Sequence, residues 1–184
     1  MTEWDKMVSG ARYDANDAQL VRARERARAL TFQFNHAPPE QADARRQAIA
    51  VLLGRSGERV RIEPPFQCDY GVNIHLGDDV YVNMNCVVLD CAPVHVGDRV
   101  LVGSGVQLVT AAHPVNFAER RAGLELALPI TIGDDVWIGA GAIICPGVSI
   151  GARCVIGAGS VVVREMPPDV VAAGNPCRVV RGLR

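Results

Sequence analysis

The chain has a single lysine among its 184 residues, Lys6. Schiff-base chemistry and the phosphate-gripping lysine of a P-loop therefore have almost no candidate. Aromatic residues make up only 5% of the sequence, and no aromatic ladder accompanies its arginines, which removes the usual platform for nucleic acid. No pair of cysteines has CxxC spacing. The six, Cys68, Cys86, Cys91, Cys145, Cys154 and Cys177, fall largely at apolar repeat positions and read as reduced, buried structural thiols. Cys91 alone is kept open for a functional role, because a reactive thiol needs an activating base beside it. No apolar run reaches the roughly 18 residues of a membrane-spanning helix, and the N-terminus lacks a basic region leading into an apolar one. A formal net charge of −1 creates no field that would draw in nucleic acid or an anionic membrane. The expectation is a soluble cytoplasmic protein with no nucleic-acid or membrane partner.

What the sequence does contain is a strict period of six. Ile132, Ile138, Ile144, Ile150, Ile156 and Val162 recur at that spacing, usually followed by a small residue. A helix buries a face every 3.6 residues and a strand every 2, so this period signals short strands joined by tight turns. Three such walls close a triangular coil of eighteen residues. Val136, Ala142, Val148, Cys154 and Ser160 supply a second set of small or β-branched inward side chains, four places on from each primary one. The period extends back through Val96, Val102 and Leu108, in phase across a 24-residue gap before Ile132. Leu76, Val82 and Val88 are two residues out of phase, which places an extra pair between Leu89 and His95. Gly103-Ser104-Gly105 and Gly157-Ala158-Gly159 read as repeat turns, since the flanking glycines of a nucleophile elbow or dinucleotide fingerprint are missing.

Residues 110–129 carry no hexapeptide signal and read as a loop thrown out of the coil. Long excursions from a rigid scaffold are usually functional. His113, one of four histidines, opens this one, with Pro114 stiffening the backbone beyond it. An imidazole titrates near pH 6.5, which suits a general base acting on an alcohol or amine at neutral pH. Residues 1–57 form a helical cap segment. Leu20, Ala23, Ala27, Leu30 and Phe34 make one apolar helix face, with Asp14, Asn16 or Asp17 as its cap. Arg22, Arg24, Arg26 and Arg28 read as its solvated face, and a second helix is expected from Pro39-Glu40 to Gly54. Residues 58–184 form the coil domain and its C-terminal tail.

The ordered set Tyr13-Asp14, Phe34-Asn35-His36, Ile62-Glu63-Pro64-Pro65, Cys68-Asp69-Tyr70-Gly71, Asn73-Ile74, Thr110 to Pro114, Pro129 to Gly139, Asn175-Pro176 and Arg178 resembles the maltose and galactoside O-acetyltransferases of the hexapeptide-repeat superfamily. It is also similar to the nodulation-type sugar acetyltransferases. The resemblance implies a mainly β fold, a left-handed parallel β-helix with an N-terminal α-helical segment. It implies a homotrimer with active sites between subunits, acetyl-CoA lying along the coil, and no metal. It makes His113 the base that takes a proton from a sugar hydroxyl, of the maltose or glucose type, as it attacks the thioester directly. By the same resemblance Asn83, Tyr81 and Asp69 meet the acceptor, and Asp14 or Asp17 reaches the pocket from the N-terminal segment. Glu125 orients His113 or binds the acceptor. Ala140, Ala158, Val163, Arg164, Arg178 and Arg181 match the family's CoA contacts, and Trp137 faces outward on the pantetheine path or against another subunit. Two departures stand out: Val163-Arg164 replaces a Thr-Lys pair, and Cys91 stands where galactoside enzymes carry an acceptor-binding Asp.

Two other readings use the same repeat. His75, His95 and His113 each precede a repeat position, so the three could stack on successive coils about 4.8 Å apart and hold a hydratase-type zinc. Alternatively a rigid coil could serve as a non-catalytic scaffold.

Overall fold

Every sixth residue turns into one narrow interior. The column Leu76, Val82, Val88, Val96, Val102, Leu108, Ile132, Ile138, Ile144, Ile150, Ile156 and Val162 is at most 6% exposed, and the secondary set from Val136 to Ser160 is equally buried. Burying one such aliphatic side chain contributes roughly 1.5–3 kcal/mol, so this column dominates the apolar energy of the fold. The computed structural model describes residues 1–183, which form a parallel β-solenoid of three walls. The first wall stacks Arg55–Ser56, Ile74–Leu76, Val94–Val96, Ile130–Ile132 and Ser149–Ile150. The second stacks Arg61–Ile62, Tyr81–Val82, Leu101–Val102, Trp137–Ile138, Val155–Ile156 and Val170–Ala173, closed by the antiparallel Arg178–Gly182. The third stacks Phe66–Cys68, Cys86–Leu89, Gln107–Val109, Ile143–Ile144 and Val161–Val162.

Register pins down where the period slips. Ile132 pairs with Ile150 and Ile138 with Ile156, eighteen residues on, but Leu76 pairs with Val96 and Val82 with Val102, twenty on. Cys68 likewise pairs with Val88. The extra pair expected between Leu89 and His95 is there, and a second one lies between Cys68 and Leu76. Both fall at the corner joining the third wall to the first. The long excursion leaves the next coil at that same corner, between Leu108 and Ile132.

The excursion is not an irregular loop. Ala111–Ala112 and Leu124–Ala127 pair antiparallel, and Tyr13–Asp14 adds a third strand, so the N-terminus and the excursion share one small sheet. A short helix, Phe117–Arg121, caps its tip, with Asn116 Oδ1 accepting from the Ala118 and Glu119 amides. The hexapeptide period carries no sign of these pairings, because they are antiparallel and the third strand comes from about a hundred residues away.

The N-terminal segment holds three helices. Glu3–Val8 (α1) was not expected; it starts with a capping box between Thr2 and Asp5. Ala18–His36 (α2) is capped by Asp17, whose Oδ1 accepts from Gln19 N at 2.8 Å. Ala42–Leu52 (α3) begins later than Pro39-Glu40, because Gln41 N donates back to Pro38 O and closes a turn first. The α2 helix lies over the open end of the third wall. There Asn35 Nδ2 donates to Phe66 O and its Oδ1 accepts from Phe66 N, both at 2.9 Å, so one side-chain amide replaces a missing strand. Covering that edge blocks further strand addition.

The corner between the first and second walls carries a ladder of alternating charge. Arg59, Asp79, Arg99, Asp135, Arg153 and Asp169 all adopt left-handed backbone with φ between 54° and 62°. Paired forks run from Arg59 to Asp79 (2.6 Å), Arg99 to Asp135 (2.7 Å) and Arg153 to Asp169 (2.5 Å). These hydrogen bonds hold the three carboxyls below the ordinary aspartate range. Their contribution is present at neutral pH and is lost as pH falls through the lowered values.

Asn35→Ala leaves the Phe66 N–H and C=O unpaired at a covered edge. It should cost about 1–3 kcal/mol in urea unfolding and speed aggregation on warming. A change within the error of the extrapolation, with unaltered aggregation, would show that water replaces the amide at no cost.

Candidate active site

The third-to-first corner widens on three coils in succession, and its residues line a groove of about 350 Å³. Asp69 and Tyr70 come from the first widened corner, Leu89 and Cys91 from the second, and Ala111, His113 and Glu125 from the excursion sheet. Ala15 and Asn16 precede α2, and Arg24 and Arg28 extend from that helix. His113 is exposed, projecting from the strand end at Ala112.

Its surroundings are ordered by short polar contacts. Glu125 accepts from the Tyr13 hydroxyl at 2.9 Å, so its bonded partner is Tyr13 and not His113, although both line the groove. Cys91 Sγ donates to Asp69 Oδ2 at 3.4 Å and also lies against the Tyr13 hydroxyl. Burial pushes the Asp69 carboxyl up and Glu125 adds to that, while Cys91 and Arg24 oppose it. Burial likewise pushes the Cys91 thiol up, with Asp69 reinforcing the shift. A thiol raised in this way is a poor nucleophile, so Cys91 shapes the groove rather than reacting. The helix spacing alone puts Arg24 on a solvated face. Instead it donates to Tyr70 Oη at 2.7 Å and Ala15 O at 2.6 Å, and with Arg28 it forms a cationic wall four residues apart on one helix face.

Other residues named from the sequence lie elsewhere. Asp17 is engaged as the α2 cap and does not line the groove. Asp14 sits on the strand paired with Leu124, its Oδ1 accepting from Asn16 N. Tyr81 and Trp137 are on the outer face of the second wall, and Asn83 is at its far end, where its Oδ1 accepts from Met84 N. Ala140 and Ala158 follow at the same second-to-third corner on later coils, exposed and stacked: Gly159 N donates to Ala140 O at 2.9 Å. Val163 and Arg164 are exposed at the His113 corner, two coils further on. Arg178 and Arg181 project from the terminal strand opposite Ala173 and Val171. Within one chain Val163 and Arg164 thus share the His113 corner, while Tyr81 and Trp137 lie on the second wall, Asn83, Ala140 and Ala158 at its corner with the third, and Arg178 and Arg181 on the terminal strand.

The histidine column is broken. His75 and His95 do stack, centroids 4.8 Å apart, but the next rung holds Thr131, and His113 lies outside the wall in the excursion. A zinc site built from the three together is overturned by that register.

A three-walled solenoid of hexapeptide coils, with a histidine-bearing excursion at one corner and a helical cap, defines a hexapeptide-repeat acyltransferase. The comparisons agree. Residues 6–57 match the model described as the maltose acetyltransferase hexapeptide capping motif, and residues 129–164 match the bacterial transferase hexapeptide. The galactoside O-acetyltransferase of Escherichia coli is 44% identical over 164 residues, spanning 89% of this chain and 81% of that protein. The crystal structure of a maltose O-acetyltransferase from Clostridium difficile superposes with a TM-score of 0.99 at 44% identity, over 100% of this chain and 98% of that one. A hexapeptide-repeat acetyltransferase from Vibrio cholerae, solved with acetyl coenzyme A, matches with a TM-score of 0.93 at 39% identity over the whole of both chains. The chain belongs to the maltose and galactoside O-acetyltransferase family, and it is an acetyltransferase.

Cys68 and Cys91 are buried and their thiols are held in the protonated form by burial. In native protein near pH 8 neither should react with a chromogenic disulfide reagent on the timescale that labels the less buried Cys145. Rapid labelling of Cys91 would restore it as a reactive group.

Proposed function

We propose that this enzyme transfers the acetyl group of acetyl-CoA to a hydroxyl of a neutral sugar of the maltose or glucose type, in a ternary complex. The observation that carries the reading is the groove at the widened corner, whose lining His113 shares with the carboxyl groups of Asp69 and Glu125 and with Arg24. Paired carboxylates and an arginine suit the ring hydroxyls of a sugar, which donate to the first and accept from the second. The unprotonated His113 nitrogen takes the proton of the acceptor hydroxyl as its oxygen attacks the thioester carbonyl. The tetrahedral intermediate collapses, the new ester C–O bond stays, the C–S bond breaks, and the imidazolium returns its proton to the departing CoA sulfur.

The enzyme works as a homotrimer. Three observations support this. Tyr81, Asn83, Ala140 and Ala158 lie on a different edge from His113, so one chain holds only half of the expected site. The second wall presents Tyr81, Leu101, Trp137 and Val155 as an outward column, with Leu101 49% and Trp137 55% exposed, an apolar stripe that calls for a partner. The polar first wall offers no such surface, showing Arg55, His75, His95, Thr131 and Ser149. A neighbour's second wall laid against the His113 corner completes the site. Acetyl-CoA then runs between subunits, its pantetheine along the corner at Ala140 and Ala158 and beside Trp137. Its phosphates meet Arg164, Arg178 and Arg181, with Val163 packing nearby; the planar guanidinium suits phosphate. No helix among the described residues is long and apolar enough to cross a membrane.

A screen of sugars for acceptor-dependent release of CoA thiol from acetyl-CoA tests the reading directly, and a failure of every sugar to raise release above the acceptor-free rate would sink it. His113→Ala should lower kcat by about 10²–10⁴-fold while acetyl-CoA binding persists. A loss under tenfold would remove His113 as the base. Light scattering should give three times the 19.7 kDa chain mass, and a monomer with full activity would refute the shared site.

A further inference from the structure

Among the described residues few polar side chains are fully buried, and two of them, Asp90 and Thr110, sit at the widened corner at 0% exposure. Asp90 Oδ1 accepts from Asp69 N at 3.1 Å and Tyr70 N at 2.8 Å, and its Oδ2 accepts from Asn73 N at 3.3 Å. Asn73 returns a bond, Nδ2 donating to Asp90 O at 2.7 Å. One coil on, the Thr110 hydroxyl donates to Leu89 O at 2.6 Å and accepts from Ala92 N at 2.9 Å. Its carbonyl accepts from Leu128 N at 2.9 Å, closing the base of the excursion. Each widened corner is therefore pinned to the one before it by a single buried side chain.

The amides held in this way belong to the groove. Asp90 sets the backbone of Asp69 and Tyr70, and Tyr70 in turn receives Arg24 and packs edge-on against Trp4. Thr110 sets Leu89 and Ala92, which bracket Cys91, and it begins the strand end from which His113 projects. The later corners of the solenoid, at Cys145–Val148 and Val163–Met166, turn without any such buried anchor. Turning a coil does not require a buried carboxylate, then, and an uncompensated one is expensive to keep. Burial pushes the Asp90 carboxyl up to about 6 against the pull of its amide donors.

We propose that Asp90 and Thr110 are positioning residues for the acetyl-transfer reaction, fixing Asp69, Tyr70 and the His113 strand at the heights where one acceptor hydroxyl meets the base. This rests on the sugar-transferase reading above. Its consequence is selective: disturbing either anchor shifts the acceptor half of the site and leaves the CoA edge at Ala140 and Ala158, across the third wall, in place. A displacement near 1 Å at reacting groups costs on the order of 100-fold.

The test is steady-state kinetics near pH 8 on Thr110→Val, Thr110→Ser and Asp90→Asn, with thermal melting of each. Valine keeps the shape of threonine and removes the hydroxyl. Asparagine keeps one acceptor oxygen and turns a donor toward the Asn73 or Tyr70 amide. Thr110→Val should raise acceptor KM or lower kcat by tenfold or more with acetyl-CoA KM within twofold of wild type, and Thr110→Ser should restore activity. Asp90→Asn, where it folds, should show the same split. Unchanged kinetics in Thr110→Val, or a proportional rise in both KM values, overturns the positioning role while leaving the enzyme reading intact. A wild-type enzyme that acetylates no sugar overturns both.

Discussion

Everything in this protein hangs from the stacking of parallel rungs around an interior narrow enough to be filled by the aliphatic and small side chains of three walls. The hydrogen bonds between coils fix spacing along the axis, and the inward column fixes rotation about it. The small residue after each inward position follows from the same constraint. At Gly139 a Cβ would stand 2.5 Å from the Ala158 amide nitrogen of the next coil. Deviations from the period cannot be absorbed within a wall, where a slip would carry the apolar set to the outside. They are forced into corners, and in this chain the large ones accumulate at one corner.

That corner is where chemistry becomes possible. Two extra residues on each of two coils push backbone outward and open a shelf, and the excursion on the third coil roofs it. The shelf is held by buried polar side chains together with a small apolar cluster of Tyr13, Leu20, Tyr70, Cys91 and Ala92, and its walls come from sequence segments far apart: Asn16 and Arg24 from the cap, Asp69 and Cys91 from the shelf, Glu125 from the return strand of the excursion. The helical cap thus does two jobs. Through Asn35 it covers an exposed strand edge, and through Tyr13, bonded to Glu125, and Arg24, bonded to Tyr70, it finishes the groove.

The parts of the fold legible in the sequence are those with a local period. The inward column, the phase slip after Leu89, the position of the excursion and the apolar face of the long helix each depend on neighbours within a few residues. The parts not legible depend on partners remote in sequence. The slip between Cys68 and Leu76 was hidden because Cys68 and Ile62 are weak markers of the column. The excursion looked structureless because its sheet closes on Tyr13–Asp14. Arg24 looked solvated because its helix spacing says nothing about Tyr70, and Asp17 looked free to reach the groove because a cap and a ligand use the same carboxylate. A stacked histidine triplet was drawn from spacing alone, and the register put Thr131 on the third rung.

The sequence by itself determined that the chain coils in threes of six, that the coil is interrupted once at length, and that a histidine stands at the interruption. Those facts are one-dimensional, set by the repeat of side-chain direction along the backbone. Only the tertiary structure decided which corner the interruptions share, which carboxylates and arginines gather beside His113, and which named residues remain on another edge. Those outcomes depend on how many residues each coil spends before returning to the same wall, a sum over the whole chain that no single hexapeptide records.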